Sequence, residues 1–507
     1  MRQDTLLGAL ESACARGGDR VALSFGDVRT TYRRLWEDAN ALGRAYRLLG
    51  VEPGARVVCH LANQPEYLVG LAGAWVCGAV HVGVDREFTP SELYRVVSLT
   101  GADALVCDVP PREPVPGVHV IVVGDAPAAY PCRTLEEMLA LGRATRSEAG
   151  SEPAPGDPAM IFISSGTTGA PKATFGFHGN LSQRWQRLSG WLQFGSGDTH
   201  LAQLPLTHGF GLMMSFAALL GGGRVVLMSA FRASDALDTI AAERVTVFNG
   251  TPTHFRLALR EQQRAARDIR SLRLSAGTAA AFPPSLVQAI WEELGTELVV
   301  MYGSSEGVGV ATSERSDILL GSVGKPQPGA AKIIGLAGES LPPGAIGEIA
   351  FSRTVYPVRY WGQQTTTAPT DDELWFRSGD LGKIDEEGRL YVLGRLKHQI
   401  DRGGLKVDPV EVERALLALP DIADATVIGL PNEMLGEIIC ACVVPMSDTP
   451  PTLETLRWSL GTELASYKLP DELCVLTAIP RTSLGKVRAD ELRALIGRTL
   501  QKVAPSV

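Results

Sequence analysis

Apolar residues follow two alternating patterns along the first half of this chain. Leu35, Ala39, Leu42 and Tyr46 recur at intervals of three or four residues, which predicts a helix that ends near Gly50. Short apolar runs at residues 57–61, 105–107, 120–123 and 160–163 are typical of buried strands. Strands that alternate with helices predict an α/β domain with a parallel sheet.

The alternation continues in a second series over residues 178–300. Strands are predicted at residues 224–228, 245–248 and 298–301, and a helix at residues 286–294 after Pro283-Pro284-Ser285. From Gly321 to Leu393 the pattern changes to short strands separated by Gly and Pro turns, including residues 346–351 and 388–393. This segment predicts a β-rich subdomain.

The last hundred residues predict a small α+β domain. A helix begins near Pro409 and directs Val412, Leu416 and Leu417 inward, strands follow at 425–428 and 438–444, and a further helix at 452–465. The predicted fold class is therefore α/β, with a large N-terminal domain of two αβ subdomains and a β-rich subdomain, then a small α+β C-terminal domain. We place the large domain at residues 1–394, a hinge at 395–397 and the small domain at 398–507.

Composition and charge exclude several classes of function. The 507 residues carry a net charge of −8 without any basic block, which disfavours nucleic acid as a partner. No apolar run approaches the ~20 residues of a membrane span and no secretory leader is visible, so we expect a cytoplasmic protein without a membrane partner. The eight cysteines form no C-x-x-C pair, which predicts buried thiols in a reducing compartment. The histidines show no zinc-ligand spacing.

Residues 164–172 follow an apolar strand and form a loop suited to polyphosphate. The loop contains two glycines, four hydroxyl side chains and Lys172 within nine residues. Glycine lets backbone N–H groups turn toward an anion, hydroxyls add donors and lysine adds charge. The spacing is not that of a Walker A loop, and Pro171 disfavours a helix that starts there. The alternative interpretation is a polar surface turn.

Six motifs resemble, in order, the signatures of the adenylate-forming enzymes: acyl-CoA synthetases, peptide-synthetase adenylation domains and luciferases. The motifs are residues 164–172, Leu204–Gly211, Tyr302–Glu306, Phe376–Leu381, Gly394–Lys397 and Pro480–Lys486. The resemblance covers Tyr32 to about Leu492 and is closest in type to an acyl- or aryl-CoA ligase. It implies ATP and Mg²⁺ as cofactors, and as acceptor either CoA or a carrier-bound phosphopantetheine.

The resemblance assigns roles to the nucleotide-binding residues. The implied set is Ser164, Ser165, Gly166, Thr167, Thr168, Gly169, Lys172, Tyr302, Gly303, Ser304, Ser305, Asp380, Arg395 and Lys486. Tyr302 would lie against the adenine, and Asp380 with Arg395 would bind the ribose. Glu306, together with Ser305, would hold Mg²⁺, because a hard cation prefers oxygen ligands. An exposed loop glutamate and a turn aspartate are the competing interpretations.

The implied catalytic residues are Lys486, Glu306, His208 and Lys172. In the family the lysine that matches Lys486 bridges the substrate carboxylate and the α-phosphate during adenylation. Lys397 matches the hinge residue about which the small domain rotates between two half-reactions. Gly403 and Gly404 resemble the glycines that line the thiol tunnel. The alternative interpretation of these two residues is a Gly-Gly surface turn.

The acid site is expected around His208, which resembles the family's gate residue. The residue after it is Gly209, where amino-acid-activating relatives generally place Asp, so an ordinary α-amino acid is disfavoured. The expected lining is His208, Gly209, Phe210, Met213, Met214, Ala276, Gly277, Thr278, Gly307 and Val308. This mostly apolar set predicts an aryl or medium acyl substrate.

Three segments depart from the family pattern. Ser305 replaces the usual Thr, and residues 173–178 and 82–86 are atypical. The leading hypothesis is an AMP-forming carboxylate–CoA ligase with a small-molecule acid substrate. The alternatives are a stand-alone enzyme that loads an acyl carrier protein, activation of a non-carboxylate oxyanion with an amine acceptor, and a non-catalytic nucleotide binder. The acid, the acceptor and the oligomeric state stay open.

Overall fold

The computed structural model describes residues 4–126, 130–145, 152–164, 172–304, 310–355, 360–361, 374–447, 449–482, 485 and 487–503. Of Ser164, Lys172, Lys397 and residues 499–503 it describes the main chain alone. In chain order the first strands are β1 (Val21–Phe25), β2 (Val28–Thr31), β3 (Arg56–His60), β4 (Val80–Gly83), β5 (Ala104–Cys107), β6 (His119–Val122), β7 (Arg133–Thr134), β8 (Pro158–Ser164), β9 (Lys172–Phe177), β10 (Thr199–Ala202), β11 (Arg224–Leu227), β12 (Val247–Gly250), β13 (Leu274–Gly277) and β14 (Glu297–Tyr302). The remaining strands are β15 (Ala311–Ser313), β16 (Lys325–Pro326), β17 (Ala331–Ile334), β18 (Gly347–Ser352), β19 (Trp375–Ile384), β20 (Leu390–Arg395), β21 (Ile400–Arg402), β22 (Leu405–Val407), β23 (Ile422–Asn432), β24 (Gly436–Pro445) and β25 (Glu472–Val475).

The helices occur between these strands. They are α1 (Leu6–Gly17), α2 (Tyr32–Leu48), α3 (Pro65–Cys77), α4 (Pro90–Thr100), α5 (Leu135–Ala144), α6 (His178–Trp191), α7 (Gly209–Leu220), α8 (Ala233–Glu243), α9 (Pro252–Arg264), α10 (Pro284–Ala289), α11 (Arg315–Leu319), α12 (Pro409–Leu417), α13 (Leu453–Leu460) and α14 (Ala489–Val503). Several begin at a side-chain cap, as at Thr89, which accepts from the Glu92 N–H while Glu92 accepts from the Thr89 N–H.

Two large sheets form most of the N-terminal domain. One has seven strands in the order β7-β6-β5-β3-β4-β8-β9, and the other has nine in the order β16-β15-β14-β13-β12-β10-β11-β1-β2. Their central strands are parallel, and antiparallel strands stand only at the edges, where β9 pairs with β8 and β15 with β14. The carboxyl ends of β10, β12, β13 and β14 therefore meet at one edge of the nine-stranded sheet, here called the carboxyl edge.

A shared layer of helices fills the space between the two sheets. Helix α3 is buried along its whole length, which explains why its sequence is apolar on every side. Helix α7 is almost as apolar, and its Met213 and Met214 belong to the same core as Val247 and Ala276 of the nine-stranded sheet. The outer face of that sheet packs through Phe248 against the layer of α8, α9 and α10.

Two smaller sheets complete the chain. The strands β17-β18-β19-β20 form an antiparallel sheet, and β22-β21-β24-β23 with β25 form the sheet of the small domain. Helix α12 begins at Pro409, and Val412 and Leu416 are fully buried against this second sheet. The predicted α/β fold with a large N-terminal and a small C-terminal domain is thus confirmed.

Two predicted helices differ in detail from the structure. The helix predicted over residues 286–294 is α-helical only to Ala289 and continues as a π turn over Ile290–Leu294. The helix predicted over residues 452–465 ends at Leu460, and Gly461 follows as its C-cap residue. All eight cysteines lie in the described part of the chain and none forms a disulfide; all but Cys132 are buried, as predicted.

Candidate active site

The carboxyl edge gathers segments that are far apart in the sequence. His200 pairs with Val247, Asn249 with Ala276 and Gly277 with Val300, so β10, β12, β13 and β14 end side by side. The Leu204–Gly211 motif, Thr278 and the Tyr302 motif follow these strand ends directly. Ligands of parallel α/β sheets bind at the carboxyl ends of the strands. The sequence-predicted motifs thus share the edge at which a ligand is expected.

Asp380 is a buried carboxylate held between two donors. Its side chain is 7% exposed and lies 2.8 Å from the Arg395 Nε. The Tyr302 hydroxyl donates to Asp380 Oδ2 at 2.7 Å. Burial and the Asp380 charge raise the pKa of Tyr302 far above its ordinary value of 10.0, so the tyrosine is a neutral donor. The three predicted nucleotide residues Tyr302, Asp380 and Arg395 therefore form one constellation.

The strands explain how this constellation is assembled. Asp380 and Arg395 face each other across the antiparallel pair of β19 and β20. Tyr302 ends β14, and its ring packs edge-on against Phe351 of β18 with ring centroids 6.0 Å apart. The nine-stranded sheet and the β17–β20 sheet thus meet at Tyr302. Gly303 and Ser304 follow immediately, Gly303 exposed and Ser304 half-buried.

His208 has a partner that the sequence did not reveal. Its Nε2 lies 2.9 Å from Asp85 Oδ2, and the Asp85 side chain is 13% exposed. Asp85 follows β4 of the other large sheet and belongs to the atypical residues 82–86. The pair joins the edges of the two sheets, and the carboxylate fixes the orientation of the imidazole. The departure from the family pattern was the only sequence signal for Asp85.

Helix α7 begins at the predicted acid site. Gly209 is its first residue and His208 precedes it as the cap position, so free backbone N–H groups are directed at this end. A Cβ at Gly211 would lie 2.6 Å from the Pro205 carbonyl oxygen, and only glycine allows this close approach. Phe210 is partly buried against the core that also contains Met213 and Met214.

The predicted lining residues of β13 point in different directions. Ala276 is fully buried in the core shared with α7. A Cβ at Gly277 would instead meet the Phe282 ring at 2.5 Å, on the opposite face of the sheet. Gly277 could therefore line the acid site only through its backbone. Thr278, one residue further, donates its hydroxyl to the Met301 carbonyl at 3.3 Å.

Several predicted residues lie outside the described part of the chain. They are Ser165, Gly166, Thr167, Thr168, Gly169, Ser305, Glu306, Gly307, Val308 and Lys486, and the side chains of Ser164, Lys172 and Lys397. The main chain of Ser164 pairs with that of Lys172 where β8 and β9 meet at the sheet edge. Among the described residues no cluster of His, Cys, Asp or Glu could hold a metal ion.

The neighbours of Lys486 lie against the large domain. A Cβ at Gly485 would be 3.0 Å from Thr251 Oγ1, and Thr251 directly follows β12. Arg488 forms an ion pair with Glu87, which lies two residues after Asp85. Arg481 is held by Asp424 of its own domain at 2.9 Å. We call this the docked arrangement: Gly485 lies against Thr251 at the carboxyl edge, and Arg488 pairs with Glu87 of the large domain.

The predicted hinge and thiol-tunnel residues lie at the start of the small domain. Leu396–His398 form a single turn of 3₁₀ helix between β20 and β21. Gly403 and Gly404 form the turn between β21 and β22, and Gly403 N–H donates to the Leu435 carbonyl at 2.7 Å. Next to Leu435, the Met434 side chain is 92% exposed.

A close contact between Gly394 and Asp408 lies beside the predicted hinge at residues 395–397. Gly394 has φ of 154°, and a Cβ there would overlap the Asp408 carboxyl group. Asp408 caps α12 by accepting from the Val410 N–H at 2.8 Å, while its Oδ2 is buried without a partner among the described residues. Burial raises the pKa of Asp408 to about 6.

Comparison with known proteins gives matches over nearly the full length. Residues 10–361 match the family model of AMP-binding enzymes, and residues 411–486 match that of their C-terminal domain. The chain is 31% identical to a feruloyl-CoA synthase from Amycolatopsis sp, covering 94% of this chain and 96% of that protein. It is 30% identical to the fatty acid–[acyl-carrier-protein] ligase ScoC from Streptomyces coeruleorubidus, covering 91% of each chain.

A solved structure shows the same fold. The anthranilate CoA ligase AuaEII in complex with anthranoyl-AMP matches with a TM-score of 0.87 and 25% identity, covering 99% of this chain and 98% of that chain. Within the described residues, no helix is both long and apolar enough to span a membrane.

Proposed function

Because the chain belongs to the family of AMP-binding enzymes, we propose that it activates an aryl or medium acyl carboxylic acid with ATP and transfers the acyl group to the thiol of CoA. It is an enzyme of the acyl-CoA synthetase type, with homologues among CoA ligases. The proposal goes beyond the enzyme type in two respects, the class of acid and CoA as the thiol acceptor.

The docked arrangement is the observation that carries the proposal. Gly485, the residue before Lys486, lies against Thr251 at the edge where the Tyr302 and His208 segments also lie, and Tyr302 in turn contacts Asp380. In the first step a carboxylate oxygen bonds to the α-phosphorus, and the bond to pyrophosphate breaks. Both reactants are anionic, so Lys486 and the amino end of α7 would offset the repulsion.

The described residues fit the nucleotide that the family implies. Asp380 is a buried carboxylate with two oxygens able to accept from ribose hydroxyls, and Arg395 and Tyr302 hold it in place. Glu306 and Ser305 would hold Mg²⁺, which offsets phosphate charge when bound. In the second step the thiolate bonds to the acyl carbon, and AMP leaves with the electron pair of the broken C–O bond.

The test is pyrophosphate release across a panel of aryl, alkyl and amino acids, with and without CoA. We expect release that depends on one class of acid and is accelerated by CoA. Lys486→Ala should abolish ATP–pyrophosphate exchange but still let a supplied acyl adenylate react with thiol. The exposed Lys325→Ala is the control and should exchange normally. Unchanged exchange in Lys486→Ala would falsify the assigned role, and release only with an amine acceptor would overturn the thiol step.

A carrier-protein thiol is the second candidate acceptor, favoured by the surface around Gly403. The apolar Met434 is 92% exposed there, whereas Lys406 and Arg402 are paired with Asp401 and Asp471. Free CoA would gain from unpaired cations near its phosphates, and a carrier would gain from an apolar contact. If a carrier is the acceptor, Met434→Asp should slow transfer to holo-carrier more than transfer to CoA. Equal effects on both acceptors would contradict it.

A further inference from the structure

Two amide side chains are buried at the carboxyl ends of β10 and β12. Asn249 is fully buried and Gln203 is 4% exposed. The Gln203 Nε2 donates to the Asn249 backbone carbonyl, so the two residues are in contact. The Gln203 Oε1 and both polar atoms of the Asn249 side chain have no hydrogen-bond partner in the described part of the chain. Buried amides without partners are rare in folded proteins and call for an explanation.

The alternation along β12 fixes the direction of Asn249. Phe248 packs edge-on against Phe255 of α9, with ring centroids 5.1 Å apart, and so faces the outer layer. Asn249 therefore points to the opposite face, on which Val247 and Ala276 belong to the core shared with Met213 of α7. This is the face on which the predicted acid site begins at His208 and Gly209.

The position of Asn249 in the sheet places it deeper than the start of α7. It pairs with Ala276 and lies one residue before the end of β12, whereas His208 follows the strand end of β10 by several residues. A carboxylate held near His208 and the amino end of α7 would direct the remainder of the acid toward Ala276 and Asn249.

The chemistry of the two amides selects a neutral polar group. They offer two acceptor oxygens and one free N–H₂ group, which matches a hydroxyl that both donates and accepts. An anionic substituent would meet two acceptor oxygens, and an ammonium group would lack a carboxylate. Ala276 and Val299, which follow Asn249 across the neighbouring strands on the same face of the sheet, are apolar.

We propose that Gln203 and Asn249 recognise a hydroxyl group on the end of the acid that is remote from its carboxylate. The inference rests on the proposed activation of a carboxylic acid and names its substrate class. A site with buried amides discriminates against an analogue that lacks the hydroxyl, because the amides then stay unpaired.

The test compares matched pairs of acids by pyrophosphate release. The pairs are cinnamate with para-hydroxycinnamate, benzoate with para-hydroxybenzoate, and octanoate with omega-hydroxyoctanoate. We expect kcat/KM for the hydroxylated member of one pair to exceed that of its partner by about 10- to 100-fold. In Asn249→Leu and in Gln203→Leu this ratio should fall toward one. Asn40→Leu, which changes a half-buried amide of α2, is the control and should keep the ratio.

The outcomes separate the two proposals. If none of the acids supports pyrophosphate release, the proposed function is overturned. Release with equal rates for both members of every pair, or a ratio that Asn249→Leu and Gln203→Leu leave unchanged, would overturn the recognition of a hydroxyl alone. If the amides only support the fold, Asn249→Leu should lower both rates together and lower the melting temperature, with the ratio intact.

Discussion

Asp380 contacts one residue of the nine-stranded sheet and one residue of its own β17–β20 sheet. Tyr302 reaches it from β14 and Arg395 from the neighbouring β20, so the position of the carboxylate depends on both sheets. A charged, buried acceptor loses more than a neutral one when its donors are disturbed. Asp380 is therefore the residue at which a small chemical change should have the largest effect on nucleotide binding.

We expect Asp380→Asn to raise the KM for ATP by about 10- to 100-fold, because Arg395 loses its anion and the ribose loses a charged acceptor. Steady-state kinetics with ATP as the varied substrate measures this. Asp385→Asn is a matched control, since Asp385 also accepts from a tyrosine, Tyr391, at 3.0 Å and lies beside Arg389. A similar rise in both variants would point to a general effect on the β19–β20 pair.

The Asp85–His208 pair leads to a prediction of coupling. Asp85→Asn and His208→Ala should each slow adenylation by about 10-fold, and the double variant should be little worse than either single one, because the carboxylate acts through the imidazole. Pre-steady-state pyrophosphate release measures the three rates. Additive losses would show that Asp85 acts independently of His208.

The Asp85–His208 pair shows which contacts between single residues the sequence does not predict. His208 was recognisable from its motif, but Asp85 lies 123 positions earlier in the chain. Only the packing of the two large sheets, which brings the segment after β4 next to the segment after β10, makes them neighbours. Gln203 and Asn249 were also missed, because a single amide side chain near the end of a strand belongs to no recognisable motif.

At the scale of elements, periodicity and turn residues were reliable guides. The structure contains the predicted strands at residues 57–61 and 105–107 and the predicted helix from Tyr32, with bounds shifted by one or two residues. Their apolar residues recur at the spacing that burial of one or both faces requires, so the pattern predicts them well. Strand β9 was missed. Its residues Lys172–Phe177 follow the phosphate loop, and pairing with β8 decides their conformation.

Helix α12 provides a prediction of pH dependence through its cap. Because the pKa of Asp408 is raised to about 6 from an ordinary 3.8, the folded protein binds this proton more tightly than the unfolded chain does. The resulting stabilisation is complete below about pH 4 and is lost as the pH rises through about 6. Above that pH the buried, ionised carboxylate lowers stability.

Asp408→Asn should remove this cost while keeping the helix cap, since Asn is also a good cap residue. We expect a gain of about 1–2 kcal/mol in unfolding free energy at pH 7.5 and almost none at about pH 3.5, after allowance for solvent screening. Denaturant unfolding at the two pH values measures it. An equal gain at both would mean that the carboxylate is not the source.

At the scale of the whole molecule, one contact of the docked arrangement is an exposed ion pair. The Arg488–Glu87 pair joins segments 401 positions apart, and both side chains are more than a third exposed. Exposed ion pairs stabilise by only about 0.2–1 kcal/mol. Such a weak contact can break readily, which suits a domain that the family resemblance expects to rotate.

Glu87→Arg should therefore slow adenylation by about two- to five-fold through repulsion of Arg488, without slowing thiol transfer from a supplied adenylate. The reversed pair Glu87→Arg with Arg488→Glu should recover most of the loss. High salt should reduce the difference between the wild type and Glu87→Arg. Failure of the reversed pair to recover would indicate that Glu87 has another role.

The fold class followed from the alternation of strand and helix patterns and the family from the order of the motifs, and the structure and the matches confirm both. The division at residues 394–398 stays a prediction. The contact between Gly394 and Asp408 could not be predicted, because it joins a strand end to a helix cap across the proposed hinge.

The contact between Gly394 and Asp408 offers a way to separate the two half-reactions of this enzyme experimentally. The space beside Gly394 admits a hydrogen atom but no carbon, so Gly394→Ala should exclude the docked arrangement and leave other orientations of the small domain accessible. One methyl group would then separate two reactions that share a single site. The variant should consume acyl adenylates that it can no longer make, and stopped-flow mixing with a synthetic adenylate and thiol would reveal that second reaction in isolation.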